Sequence, residues 1–97
     1  MRVWRVFITP SAEHTTKKLP TPVATYILED FPDQVRSNPF IGNQLSGSLA
    51  WLRSFHFSID GTRYRIAYAI DEKASTITLH YAGPRPGFYE RLKRHLP

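Results

Sequence analysis

The second half of the chain alternates between apolar and polar residues with a period of two, which is typical of β-strands. From position 51 to 59 one face carries Arg53 together with Trp51, Phe55, Phe57 and Ile59. The opposite face carries Leu52, Ser54, His56 and Ser58. We predict that the first face, which is richer in aromatic residues, lies on the core.

Two further strands and a helix follow with equally regular spacing. The return strand is predicted to bury Tyr64, Ile66, Tyr68 and Ile70 and to place Arg63, Arg65, Ala67 and Ala69 on the opposite face. The run "STITLHYA" predicts a third strand that buries Ile77, Leu79 and Tyr81. From about Pro86 the apolar spacing becomes helical, with Phe88, Leu92 and Leu96 on one stripe.

Proline marks the ends of the elements in the first half of the chain. The β-rich run "RVWRVFI" precedes Thr9-Pro10, a pair typical of a helix N-cap and first turn, and this helix is predicted to end near Lys18. A second helix is predicted to open at Thr21-Pro22, to kink or restart at Pro32 and to end at "SNPF", because a residue before proline disfavours the α conformation.

Residues 38–50 have two glycines and few charges, so we interpret them as a loop. The predicted order of elements is therefore β-α-α-β-β-β-α. This order favours an α+β fold, with an antiparallel sheet of about four strands, a helical hairpin on its core face and a C-terminal helix.

A two-residue turn sets the register of the first hairpin. Asp60-Gly61 suits a type I′ turn, in which both central residues have positive φ. Counting back from this turn pairs His56 with Arg65 on the polar face, about 5 Å apart. If Asp71 to Ala74 form the next loop, His80 opposes Arg65 from the other side.

Composition limits the classes of protein and of chemistry. Ninety-seven residues suffice for one domain, and we expect a single domain over residues 1–97. The chain has no cysteine, which excludes disulfides and thiolate chemistry, and no signal-like apolar segment, so we expect a soluble cytoplasmic protein. Its net charge is +5, most of it in the C-terminal half, which favours a polyanionic partner such as nucleic acid.

Arg65 is the candidate with the most suggestive surroundings. A mid-strand arginine between imidazoles can hold a phosphate through two parallel hydrogen bonds. Arginines and histidines also occur on solvated sheet faces with no role beyond solubility. Taken residue by residue, that alternative is favoured for Arg65, His56 and His80, and most strongly for Arg63, which pairs with a serine near the turn.

The sequence from position 38 to 92 resembles the RelE/ParE-type toxins of bacterial toxin-antitoxin pairs. The residues that carry the resemblance are Asn38-Pro39, Leu45, Gly47, Tyr64 to Tyr68, Asp71-Glu72, Gly83-Pro84-Arg85 and Phe88-Tyr89. The segment "ITPSAEHTTKKLP" is similar to the first strand and helix of the family, more weakly. Their order and spacing carry the resemblance, since none of these short motifs is specific alone.

The resemblance implies an enzyme that cleaves messenger RNA in the ribosomal A site. It assigns functional roles to Arg65, Arg85 and Tyr89. The chain departs from RelE, which has lysines on the second strand, because Ser54 and His56 stand there. The predicted RNA-binding residues around this set are Arg53, Arg63, His80, Arg91, Lys93 and Arg94.

The chemistry of such a cleavage fits these side chains. Attack by the 2′-OH of RNA needs a base, a cation to stabilise the phosphorane, and an acid for the leaving 5′ oxygen, but no metal. Arg65 and Arg85 would bind the phosphate, and their charges would favour the phenolate of Tyr89 as the base. His56 is then the best candidate acid. On the sequence alone, simple packing of Tyr89 beside Phe88 is the favoured interpretation of that residue.

The implied partners are a cognate antitoxin, the ribosome and mRNA, with no membrane and no metal or small-molecule cofactor. Two other functions stay open. A ParE-type toxin has a similar fold but poisons DNA gyrase without cutting RNA, and a degenerate member would keep the fold and lose the chemistry. The arginine and tyrosine set favours the ribonuclease, while the missing lysines keep the degenerate alternative open.

Overall fold

The structure, a computed structural model, describes residues 2–97 and has the predicted α+β architecture. The helices are α1 (Pro10–Thr16), α2 (Thr21–Thr25), α3 (Phe31–Ser37) and α4 (Phe88–Arg94). The strands are β1 (Arg5–Ile8), β2 (Asn43–Gln44), β3 (Arg53–Ile59), β4 (Thr62–Asp71) and β5 (Thr76–Pro84). A π-helical turn (Tyr26–Asp30) joins α2 to α3, and a 3₁₀ turn (Gly47–Leu49) precedes β3.

The sheet has five strands in the order β1-β5-β4-β3-β2. Strands β2 to β5 pair antiparallel, whereas β1 runs parallel to β5 at one edge. The sequence predicted about four antiparallel strands. It missed the parallel pair, which joins distant parts of the chain, and the two-residue β2, which lies inside the predicted loop and is too short to show a period.

Proline and threonine define the helices largely as expected. The side chain of Thr9 accepts a hydrogen bond from the backbone N–H of Ala12 at 3.1 Å, and Pro10 opens α1. Thr21 is a helical residue of α2 and does not cap it. Pro32 has no N–H to donate to a helical hydrogen bond. The helix therefore restarts at α3, and the hydrogen-bond pattern changes in the π-helical turn directly before it.

The first hairpin has the predicted register. Asp60 and Gly61 both have positive φ, at 52° and 79°, as a type I′ turn requires. The pairing runs from Ile59 opposite Thr62 to His56 opposite Arg65. The turn therefore fixes which residues of β3 and β4 face each other.

The second hairpin does not have the predicted register. Its loop is residues 72–75, so Ile70 lies opposite Ile77 instead of Ser75. A β-bulge then leaves His80 as an extra residue on β5, and Arg65 pairs with Gly83. The prediction that His80 opposes Arg65 was wrong, because neither the loop nor the bulge has a distinctive sequence.

Apolar residues are buried on both faces of the sheet. The larger core, between the sheet and α2 and α3, includes Phe31, Ile66, Tyr68, Ile77 and Leu79, with Phe55, Phe57 and Ile59 packed at its border. The smaller core lies under α4 and consists of Leu52, Ala67, Tyr81, Phe88 and Leu92. The C-terminal helix therefore covers part of the face that the period-two pattern assigned to solvent.

This second core corrects several predicted environments. Leu52 and Ser54 are buried, whereas Trp51 is 47% exposed because it lies in the turn before β3, outside the alternation. Tyr81 is buried as predicted, but in the smaller core, since the extra residue in β5 turns the side chains after it to the other face.

Candidate active site

An open cleft of about 370 Å³ lies beside the end of the β3–β4 hairpin. It is lined by His56, Phe57, Ser58, Arg63, Tyr64, Arg65 and Arg85. Three arginines and a histidine in one small cleft make a site suited to an anion. We call this set of residues the basic cleft.

His56 and Arg65 reach the basic cleft from β3 and β4, and Arg85 reaches it from the position after β5. His56 and Arg65 are directly opposed across β3 and β4, as predicted. Arg85 follows the last residue of β5, and its backbone N–H donates to the carbonyl of Arg63 at 2.9 Å, which extends the ladder by one bond. The backbone of the sheet therefore places His56 and Arg65 and anchors the backbone N–H of Arg85.

The arginines change the acid-base behaviour of the histidine. Burial lowers the pKa of His56 from its ordinary value of 6.5, and the positive charges of Arg65 and Arg85 lower it further. At neutral pH the imidazole of His56 is therefore mainly uncharged and able to accept a proton.

Tyr89 reaches the same region from α4. The guanidinium carbon of Arg65 lies 5.2 Å from the centroid of the Tyr89 ring, within the range of a cation–π contact. Tyr89 also packs edge-on against Phe88, with the ring centroids 5.4 Å apart. The side chain of Tyr89 therefore packs beside Phe88 and contacts Arg65 at the same time.

Of the predicted RNA-binding residues, only Arg63 lines the basic cleft, and the two others that belong to the sheet, Arg53 and His80, make contacts elsewhere. Arg53 donates from Nε to the carbonyl of Gly42 at 2.9 Å and lies over the ring of Phe40, so it holds the loop before β2. His80 packs against the edge of Trp51, and burial lowers its pKa. Neither side chain joins the set formed by His56, Arg65 and Arg85.

The basic residues of α4 have different environments. Lys93 and Arg94 are exposed, as an RNA-binding role would need. Arg91 is half-buried and donates from Nε to the hydroxyl of Tyr81 at 2.8 Å and from a terminal nitrogen to the carbonyl of Pro84 at 2.7 Å. Its guanidinium is therefore engaged inside the protein.

Sequence reasoning missed other residues of the site. Phe57 and Tyr64 were assigned to the core, yet both also line the basic cleft. Ser58 pairs with Arg63 in the register that the Asp60-Gly61 turn predicts, so the same counting could have placed it there. The buried hydroxyl of Ser54, on the face that carries His56, has no hydrogen-bond partner among the described residues.

The family follows from comparison with known proteins. Residues 6–93 match the model of the ParE-like toxin of the type II bacterial toxin-antitoxin system. The chain belongs to this toxin family. The resemblance seen in the sequence is thereby confirmed, and the protein is a type II toxin of the RelE/ParE superfamily.

Solved toxin structures have the same fold. The chain is 27% identical to a chain of a RelBE toxin-antitoxin complex from Mycobacterium tuberculosis, with a TM-score of 0.72, covering 88% of this chain and 94% of that one. A mutant of E. coli RelE in the free state is 13% identical to this chain, with a TM-score of 0.73, covering 97% of this chain and 94% of that one. A chain of the archaeal RelE–RelB complex from Pyrococcus horikoshii is 23% identical, with a TM-score of 0.63, covering 87% of this chain and 97% of that one.

Two further findings concern the sequence and its described residues. No curated protein matches the sequence. Within residues 2–97 there is no helix with the length and apolar character needed to cross a membrane.

Proposed function

We propose that this toxin is an endoribonuclease that cleaves messenger RNA on the ribosome and so inhibits translation. The observation that carries the proposal is the basic cleft, where His56, Arg65 and Arg85 face one small volume and Tyr89 contacts Arg65. Two guanidinium groups are suited to a phosphodiester whose negative charge grows in the transition state. An imidazole with a lowered pKa beside them supplies a proton acceptor.

The proposed reaction transfers two protons and breaks one P–O bond. A base removes the proton of the 2′-OH, and the 2′ oxygen attacks the adjacent phosphorus. The phosphorane breaks its bond to the 5′ oxygen, which takes a proton from an acid. The products are a 2′,3′-cyclic phosphate and a free 5′-OH, and Arg65 and Arg85 stabilise the charge that develops on the phosphoryl oxygens.

The lowered pKa of His56 favours a different division of roles from the one inferred from the sequence. A histidine that is mainly neutral at pH 7 is ready to accept the 2′-OH proton, whereas an acid must begin protonated. We therefore assign His56 as the base. Tyr89 is then the candidate acid, since a phenol O–H can donate to the leaving 5′ oxygen.

The proposed protein partner is a cognate antitoxin. RelE toxins from Mycobacterium tuberculosis and Pyrococcus horikoshii are found in complex with antitoxins. An acidic antitoxin segment would gain from the net charge of +5 by covering the basic cleft or by displacing α4. Covering the cleft would block access of RNA to His56 and Arg65, whereas displacing α4 would remove Tyr89 from Arg65.

Gyrase poisoning is the second candidate function. The matching family model is that of ParE-like toxins, and this match supports the alternative without involving the basic cleft. A gyrase poison needs a binding surface and no proton transfer. The two functions therefore differ in whether His56 and Arg65 are needed for toxicity.

One experiment separates the two functions. The toxin is induced in cells, RNA ends are mapped across the transcriptome, and gyrase supercoiling is assayed in parallel. Cuts in phase with codons in translated messages, ending in 2′,3′-cyclic phosphate, support the endoribonuclease. Double-strand DNA breaks with intact messages contradict it and support the gyrase poison.

A further inference from the structure

Arg91 makes two hydrogen bonds that tie α4 to the end of β5. It donates to the hydroxyl of Tyr81 at 2.8 Å and to the carbonyl of Pro84 at 2.7 Å. Neither acceptor carries a charge, so these bonds do not form an ion pair. The planar fork of a guanidinium can make both bonds at once, which an ammonium group cannot do in the same geometry.

These two bonds join the two segments that carry candidate catalytic groups. Pro84 immediately precedes Arg85, and Tyr89 lies two positions before Arg91 at the start of α4. Gly87 connects the segments with a φ of 67°, and a Cβ atom there would lie 3.1 Å from Arg91 Nη1. The guanidinium of Arg91 therefore packs closely against the turn between Arg85 and Tyr89.

The C-terminal part of α4 is held by other contacts. Leu92 is fully buried in the smaller core, and the ring of His95 stacks on Tyr81 with centroids 4.7 Å apart. Nδ1 of His95, the residue after α4, also forms a hydrogen bond with the hydroxyl of Ser11 in α1. Phe88 and Leu92 remain anchored in the smaller core, so losing the side chain of Arg91 should leave α4 on the sheet and loosen mainly the turn at residues 84–87 that leads into it.

We propose that Arg91 is a positioning residue, which holds Arg85 and Tyr89 in place at the basic cleft and does not itself bind RNA. The inference rests on the proposed ribonuclease function for its effect on rate. It replaces the RNA-binding role that the sequence suggested for Arg91. The structural part of the proposal concerns only the placement of residues 84–89.

The first test measures single-turnover cleavage of a ribosome-bound message. Arg91→Ala is expected to lower the rate constant by about 10²-fold with little change in the apparent affinity, because a displacement of about 1 Å in a reacting group can cost that much. Arg91→Lys should restore little, since it keeps the charge and loses the fork. Tyr81→Phe, which removes one of the two acceptors, should lose less than Arg91→Ala.

Leu96→Ala is the matched control for stability. Leu96 packs against the smaller core just after α4 and takes no part in the two hydrogen bonds of Arg91. This variant should lower the melting temperature and keep the cleavage rate of the folded protein. A rate that falls in Leu96→Ala as far as in Arg91→Ala shows that α4 stability alone matters, and overturns the positioning role.

The second test does not depend on RNA cleavage. The pKa of His56 in the isolated toxin is measured by NMR titration, with its signal assigned by comparison with His56→Gln. Because the charge of Arg85 contributes to lowering this pKa, Arg91→Ala should raise it toward the ordinary value of 6.5 as Arg85 moves away. Leu96→Ala should leave it unchanged.

The two tests separate failure of this inference from failure of the proposed function. If the parent toxin cuts no message, the ribonuclease proposal fails, and the His56 titration still decides whether Arg91 positions Arg85. If the parent cuts RNA, an unchanged rate or an unchanged His56 titration in Arg91→Ala overturns the inference.

Discussion

Arg63 and Arg65 lie two positions apart on β4 and have different surroundings. Arg65 is half-buried, lies opposite His56 and contacts the ring of Tyr89. Arg63 is exposed beside the turn, opposite Ser58. Both side chains line the basic cleft, so net charge there does not distinguish their roles, whereas burial and contacts do.

Arg65→Ala should therefore lose far more activity than Arg63→Ala. Removing one oriented donor to a developing oxyanion costs about 10²- to 10³-fold in rate. The exposed Arg63 should contribute mainly long-range attraction, so its removal should cost only a few-fold. Single-turnover cleavage of a ribosome-bound message measures both, with circular dichroism as the folding check. Equal losses in the two variants would show that only the total charge of the basic cleft counts.

The pH dependence of cleavage tests the role of His56. If His56 is the base, kcat/KM should fall as the pH drops through its pKa, which lies below 6.5, and should stay level above it. If His56 is the acid, kcat/KM should instead fall as the pH rises through that pKa. The profile is measured between about pH 5 and pH 8, where histidine titrates. His56→Gln should remove this fall in kcat/KM. If the fall persists in the variant, a group other than His56 causes it.

At the scale of elements, local turn chemistry made part of the site predictable from the sequence. A two-residue turn with positive φ at Asp60 and Gly61 permits one register, and this register alone pairs His56 with Arg65. The second hairpin has a four-residue loop that ends at Ser75, with φ at 56°, and a bulge at His80. Neither feature uses a residue with a strong preference, so the position of β5 relative to Arg65 was not predictable.

The period-two pattern also identified one buried face of the sheet and missed the second. Alternation marks the two faces of a strand but does not show that a helix from the end of the chain will cover the polar one. Leu52 and Ala67 become buried because Phe88 and Leu92 of α4 pack on them. The hydrogen bonds of Arg91 were missed for the same reason, since both of their acceptors belong to β5.

The loop between α3 and β2 depends on one buried hydroxyl. The hydroxyl of Tyr68 donates to the carbonyl of Pro39 at 2.8 Å and accepts from the N–H of Gly42 at 2.9 Å. Burial raises the pKa of Tyr68, which keeps the phenol protonated and able to donate. There is no room for another side chain at Gly42, where a Cβ would lie 2.9 Å from this hydroxyl.

Tyr68→Phe should destabilise the toxin by about 1–3 kcal/mol, because it leaves a buried N–H and a buried carbonyl without partners. Urea unfolding of the isolated protein measures the change. Tyr64→Phe is the matched control: Tyr64 is also buried, and within residues 2–97 its hydroxyl makes no side-chain hydrogen bond, so a change below about 0.5 kcal/mol is expected. Equal losses in the two variants would mean that the bonds to Pro39 and Gly42 contribute nothing.

At the scale of the whole molecule, the excess positive charge belongs to the half of the chain that forms the proposed active site. Residues 51–97 carry a net charge of +4 and residues 1–50 only +1. The exposed cations Lys93 and Arg94 belong to α4, the helix that also carries Tyr89. This distribution favours a role for these two residues in attracting RNA, whereas Lys17 and Lys18 follow α1 in the other half of the chain.

Two double variants test whether the position of the charge matters. Replacing Lys93 and Arg94 by alanine removes two positive charges, as does replacing Lys17 and Lys18, so both variants have the same net charge. If the α4 cations contact phosphates, kcat/KM of the first variant should be several-fold lower than that of the parent at low salt. The slope of log kcat/KM against log salt concentration should become shallower by up to about 1.4, which is about 0.7 for each lost contact with single-stranded RNA. The Lys17 and Lys18 variant should keep the parent's slope. Identical slopes in the two variants would show that net charge alone steers the toxin, and the RNA-binding role of Lys93 and Arg94 would be wrong.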